Sequence, residues 1–188
     1  MKDALNAIRK EHRRLATALQ AGRDLVAGIR EGGGPPDFER LRAVLYFLDA
    51  FSARLHHPKE DEFLLQPLRA RGGKAVAMVD DLEREHARVA AAVSSLEQAL
   101  LRYEAGGERE FVAFATAVEG FSEFYAEHMR KEETLAMPLA EKLFSLEDWA
   151  RLDAAFTAAR DEQGGLEEDR EFRELFLRVL GPSPASPA

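Results

Sequence analysis

The chain has 188 residues, 46% hydrophobic and 32% charged, a mix that supports one soluble domain with a sizeable core and excludes a disordered chain. It contains no cysteine, which excludes a disulfide framework, a thiolate metal site and a cysteine nucleophile. Its net charge of −8 argues against general nucleic-acid binding; with no apolar run near the length of a membrane span and a start too charged for a signal peptide, the expectation is a cytoplasmic protein that binds neither nucleic acid nor membrane.

Leu5, Ile8, Leu15, Leu19, Val26 and Ile29 recur at helical spacing and predict a first helix over 3–30, stopped by EGGGPP at 31–36. Asp37 is the expected N-cap of a second helix to about 70, with Leu41, Val44, Leu45, Leu48, Leu55, Leu64, Leu65 and Leu68 on its buried side. Pro58 lies inside that run and predicts a kink, because proline lacks the N–H and its ring clashes with the preceding turn. After RGG at 71–73 a third helix is expected over about 74–104, carrying Val76, Val79, Leu82, Val89, Val93, Leu96 and Leu100. Beyond Gly106 and Gly107 a fourth runs over about 109–143, with Phe111, Phe114, Phe121 and Phe124 as an aromatic core stripe, together with Val118, Leu135 and Leu139. Two shorter helices are expected at about 147–161 and 168–180. Short links between long amphipathic helices imply an all-α, up-down-up-down four-helix bundle over 1–143, with a C-terminal helical extension packed on it over 144–181 and a flexible tail over 182–188.

The first and third helices match. IRKEHRRLATAL at 8–19 lies over LEREHARVAAAV at 82–93, so that Glu11 meets Glu85 and His12 meets His86. Nearly the same displacement carries His56 onto His128, and each of these is followed four positions later by a glutamate, Glu60 and Glu132. Residues four apart lie one above the other on a helix. The chain reads as a doubled helix pair.

The histidines also share one height. His12 stands nearly as far before the expected end of the first helix, at 30, as His56 stands after the expected start of the second, at 37. The chain climbs and descends by nearly the same distance, roughly 27 Å at ~1.5 Å per residue. His86 and His128 stand in the same relation to the ends of the third and fourth helices. Four imidazoles at one level of an apolar interior, with two carboxylates at i+4, point to metal ligation, because buried polar groups need partners. His57 is expected to point off the core as a non-ligand, since His56 continues the face of Leu41, Leu45, Leu48 and Ser52. His57 and Asp61 remain an alternative pair at the same spacing, and Glu133 remains an alternative to Glu132.

Nitrogen and oxygen ligands without thiolate suit iron, manganese or zinc. Two glutamates and four histidines exceed one tetrahedral zinc and suit two metals, with two histidines on each and both carboxylates bridging. About four protein donors per metal leave room for a bridging oxygen species and one open position. The ferritin-like di-iron pattern, with Glu-x-x-His twice, fits only at Glu83 and His86, because Arg9 occupies the matching position before His12. Tyr125, three residues before His128, is placed to donate a hydrogen bond near the metals or simply to pack; Tyr46 is expected at the core or rim. Glu11 and Glu85 are candidate acceptors behind the ligands, although a position one residue along usually faces elsewhere.

EH at 11–12, HHPKE at 56–60, EH at 85–86 and HMRKEE at 128–133 together resemble the hemerythrin-like HHE cation-binding domain. SLEDWARLDAAF at 145–156 is similar to the C-terminal helix of bacterial members. The resemblance implies a left-handed up-and-down bundle with a non-heme di-iron centre, two iron ions held by His12, His56, Glu60, His86, His128 and Glu132. It departs from the oxygen carriers, which have a further histidine where Ala90 stands and an aspartate where Glu133 stands. The set of four histidines and two glutamates is similar to that of proteins that repair iron centres under nitrosative stress, without their cysteine-bearing N-terminal domain.

The expected function is a di-iron protein that binds or senses O2, NO or peroxide. Alternatives are an enzyme using the same centre, by peroxide decomposition or iron-centre repair, and a metal-free helical interaction module. A sensor is expected to work through a separate signalling partner, since an output domain is not expected within these 188 residues.

Overall fold

The computed structural model describes residues 3–157 and 167–181, and every element among them is helical. Helix α1 spans Asp3–Arg30, α2 spans 38–70, α3 spans Lys74–Gly106 and α4 spans 108–143. Helix α1 packs on α2 and α4, and α3 packs on the same two, which closes an up-down-up-down ring. Asp37 caps α2, its carboxylate accepting the Arg40 N–H at 2.9 Å. The links from α2 to α3 and from α3 to α4 turn through Gly73 and Gly107 at φ of 62° and 66°, a region that side-chain-bearing residues avoid.

The expected kink at Pro58 takes a particular form. Helix α2 stays continuous but contains two widened π turns, Ser52–His56 and Asp61–Leu65, and α4 contains one, Glu132–Ala136. In each case the residue just before a proline donates five residues back: His57 to the Ser52 carbonyl, Gln66 to Asp61 and Met137 to Glu132. Proline offers no N–H and crowds the carbonyl four residues earlier, so the turn before it widens and the helix continues. The widening shifts the register of the neighbouring turns. Leu135, expected on the apolar face of α4, lies within a π turn and is 51% exposed.

The core has two apolar clusters. One gathers residues such as Leu15, Leu19, Leu48, Phe51, Val93, Phe114 and Phe121, and the other Leu5, Ile8, Leu64, Leu68, Leu82 and Met137. Along each helix the histidines and glutamates of interest fall between these two groups. Helix α5, Leu146–Thr157, lies against α1 and adds Trp149, Leu152 and Phe156 to the second cluster. Helix α6, Glu167–Leu180, lies against α2 and adds Leu175 and Val179 to the first. The expectations for 158–161 and for the tail at 182–188 lie outside the described residues.

Candidate metal centre

His12, His56, His86, His128, Glu60 and Glu132 converge between the two apolar clusters. All are buried, the two glutamates completely. Each helix contributes for a local reason. His12 and His86 sit on the buried faces of regular α-helix in α1 and α3. His56 closes one π turn of α2, Glu60 immediately precedes the next, and Glu132 opens the π turn of α4. The i,i+4 pairs face each other, with His56 Nε2 at 3.3 Å from Glu60 and His128 Nε2 at 3.4 Å from Glu132.

Both carboxylates reach across the group. Glu132 sets Oε2 at 3.2 Å from His12 Nε2, and Oε1 at 3.2 Å from His86 Nε2. Glu60 sets Oε1 at 3.5 Å from His12 Nε2, and Oε2 toward both His56 and His86. Of these contacts only His86 Nε2 to Glu132 Oε1 is a hydrogen bond. Among the described residues, seven buried polar side-chain atoms have no hydrogen-bond partner, and six of them are here: Nε2 of His12, His56 and His128, both oxygens of Glu60, and Oε2 of Glu132. Burying an unpaired polar atom costs about 1–3 kcal/mol. Six such atoms cost on the order of the whole stability of a domain, about 5–15 kcal/mol. Bound cations are the partners that this set of lone pairs lacks, so the donor set fits metal.

The outward-facing nitrogens are all satisfied. Nδ1 of His12 meets Glu133 at 2.8 Å, His56 meets Glu11 at 2.9 Å, His86 meets Asp61 at 2.7 Å and His128 meets Glu85 at 2.9 Å. A carboxylate only accepts, so each Nδ1 carries a proton, and a cation that displaces any proton on the inward Nε2 would find its lone pair there. Lys59 holds Glu11 at 2.6 Å, and Lys131 holds Glu85 in a short contact.

Protons and cations compete for this site. Burial alone would lower His12, but Glu132 and Glu60 overcome it and push the ring up to about 11. Burial opposes His86 in the same way, and Asp61 and Glu132 push it up to about 10. Burial would raise Glu132, yet His128, His12 and His86 hold it well below the usual carboxylate range. Glu11 is also lowered: burial opposes, and His56 and Lys59 prevail.

His57 departs from its expected position. It is 6% exposed, and its ring stacks on His86 with centroids 4.0 Å apart. Helical spacing of 3.6 residues per turn would separate neighbouring side chains too widely for both to face inward, but the π turn at Ser52–His56 brings His56 and His57 into the same interior arc. Burial, then the His86 and His56 rings, keeps His57 well below its ordinary pKa and therefore neutral. Its Nε2 lies 3.0 Å from the Tyr125 hydroxyl, which is 2.6 Å from Ser52 Oγ. Burial pushes the Tyr125 phenol well above its usual range. Asp61 and Glu133 lie on the outer side, behind His86 and His12. Tyr46 is 43% exposed, at the rim.

Glu11 and Glu85 do accept from ligand-type histidines, but from the neighbouring helix rather than their own. One residue along from His12 or His86 turns toward α2 or α4, where His56 and His128 present Nδ1. The readable signal was their identical placement in the repeat.

A family model described as the hemerythrin HHE cation binding domain matches residues 3–140. No curated protein and no solved structure matches the chain.

Proposed function

The chain belongs to the hemerythrin HHE cation-binding domain family, and from that premise we propose that it holds two iron ions through His12, His56, Glu60, His86, His128 and Glu132 and binds or senses O2, NO or peroxide. The observation that carries the reading is the set of six buried, unpartnered donor atoms facing one another between two apolar clusters. Nitrogen and oxygen donors without thiolate suit iron, and two carboxylates offset part of the charge of two cations. When bound, ferrous ions with an open position supply the capacity to take up a small oxidant or diatomic ligand.

The chain's own residues do the rest. Glu133, Glu11, Asp61 and Glu85 fix the ring orientation and tautomer of the four imidazoles. Glu60 and Glu132 span the two sides of the site. Phe51, Phe121 and Tyr125, all buried, exclude water from below the layer, and Trp149, Leu152 and Phe156 of α5 extend the apolar cover on the other side.

Protein made with iron supplementation should contain about two irons per chain and show a near-ultraviolet charge-transfer band in air. His56→Ala and His128→Ala should each lower the iron content. A wild-type preparation that takes up no iron, with both variants as stable as the parent, would identify a metal-free bundle instead.

A further inference from the structure

Helix α2 lies between the bundle and α6, yet one stripe of it faces solvent. Leu41, Val44, Leu45 and Leu48 are buried in the first apolar cluster, and Phe47 packs on Phe176 of α6. Glu39, Arg42, Tyr46, Ala53 and Arg54 are exposed, and Asp49 is half-buried. From Glu39 through Arg42, Tyr46 and Asp49 to Ala53 the steps alternate between three and four residues, so these side chains form one seam along the helix. A groove of about 630 Å³ runs beside the seam, between α2 and α6, lined in part by Ala43, Leu175, Leu177 and Arg178. Two large apolar side chains at this groove, Tyr46 and Leu177, are exposed.

The charges along the seam reverse sign about its middle. Arg42 stands four residues before Tyr46 and Asp49 three after; Glu39 stands seven before and Arg54 eight after. A second α2 laid antiparallel, with a two-fold axis at Tyr46, therefore brings Arg42 beside Asp49 and Glu39 beside Arg54, each pair twice. The mismatch is a single residue, ~1.5 Å of rise, which the long arginine side chains span. Laid parallel in register, the same two helices would set each charge against its own sign. Among the described residues Glu39, Asp49 and Arg54 make no ion pair within the chain, and Arg42 makes an exposed one with Glu104 at 2.9 Å.

We propose that this seam is the interface of a homodimer, in which α2 packs antiparallel on α2 of a second copy of the chain. Two-fold pairing makes one surface meet itself, so that surface must be self-complementary. The α2 seam meets the requirement in charge. It also has an aromatic centre in Tyr46, with the groove beside it to take the ring of the second copy. An aromatic side chain enclosed by polar groups is the arrangement that carries binding energy at interfaces. The inference does not rest on the two-iron reading.

The test is sedimentation velocity at micromolar concentration on the full chain, produced with iron supplementation. Wild type should sediment at twice the 21.0 kDa of one chain. Arg42→Glu and Asp49→Arg, with the fold checked by circular dichroism, should each sediment as monomers, because each sets like charges together twice. Their iron content should equal that of wild type, since neither residue belongs to the metal centre. Equal amounts of the two variants should recover the dimer, because the mixed pair restores opposite signs at both contacts. Tyr46→Cys gives a second readout, as the chain has no cysteine of its own. A short bis-maleimide should join it into a dimer and leave Leu135→Cys, exposed on the diagonally opposite α4, as single chains. Monomeric wild type, a dimer from either charge variant alone, no dimer on mixing, or equal cross-linking of both cysteine variants overturns the proposal. Mass is read rather than iron, so a chain that took up no iron would still decide it.

Discussion

In the first half of the bundle Glu11 accepts from His56 and is held by Lys59; in the second, Glu85 accepts from His128 and is held by Lys131. Asp61 backs His86 as Glu133 backs His12. Each half supplies the other's support, since Asp61 on α2 steadies a ring on α3 and Glu133 on α4 steadies a ring on α1. Against that equivalence, the first half carries Pro58, a π turn and His57 where the second carries Arg130, regular helix and Met129. The comparison teaches that a doubled scaffold can repeat the carboxylate support of four imidazoles while one widened turn makes its two halves differ.

The severest way to break the equivalence is to remove a carboxylate that both halves share. Glu132→Ala should take the iron content from about two per chain toward none, and Glu60→Ala should do the same, measured by metal analysis of the purified variants. In the metal-free protein Glu132→Ala should also destabilise by about 3–5 kcal/mol in urea unfolding, because it leaves buried imidazolium without its counter-charge. Retention of two irons by either variant would show that the carboxylates do not span the site.

A milder change sharpens the comparison. Glu11→Gln and Glu85→Gln each remove the charge that steadies one imidazole, and loss of such a partner costs about 10–100-fold in metal affinity. The repeat predicts that the two losses agree within a few-fold in a chelator competition. A large effect from one and none from the other would show that the matching geometry conceals unequal roles.

The smallest effect is electrostatic. His12, pushed to about 11, and His86, pushed to about 10, are matched across the repeat and both lie above an unfolded value near 6.5. Their contribution to metal-free stability is therefore complete below pH ~6.5 and is lost as pH rises toward 10–11. The melting temperature of metal-free protein should fall across that window, and that of iron-loaded protein should change less. Iron uptake near pH 8 should release close to two protons from these rings, readable with an indicator dye.

The sequence by itself determined the helices and the ring of four around a common layer, and it singled out the six converging side chains while leaving His57 with Asp61, and Glu133, open as alternatives. Helical period, glycine breaks and the Asp37 cap are local properties, and residue counting between breaks places four histidines at one height. Tertiary structure decided what lies one residue to either side. Whether Glu11 supports His12 or reaches His56 depends on which helix stands next to it. Whether His57 faces solvent or stacks on His86 depends on how the chain accommodates Pro58, and the same kind of widening in α4 turned Leu135 outward. A proline announces only that a regular turn cannot continue; the packing around it selects a π turn over a break, and that choice reassigns every neighbouring side chain.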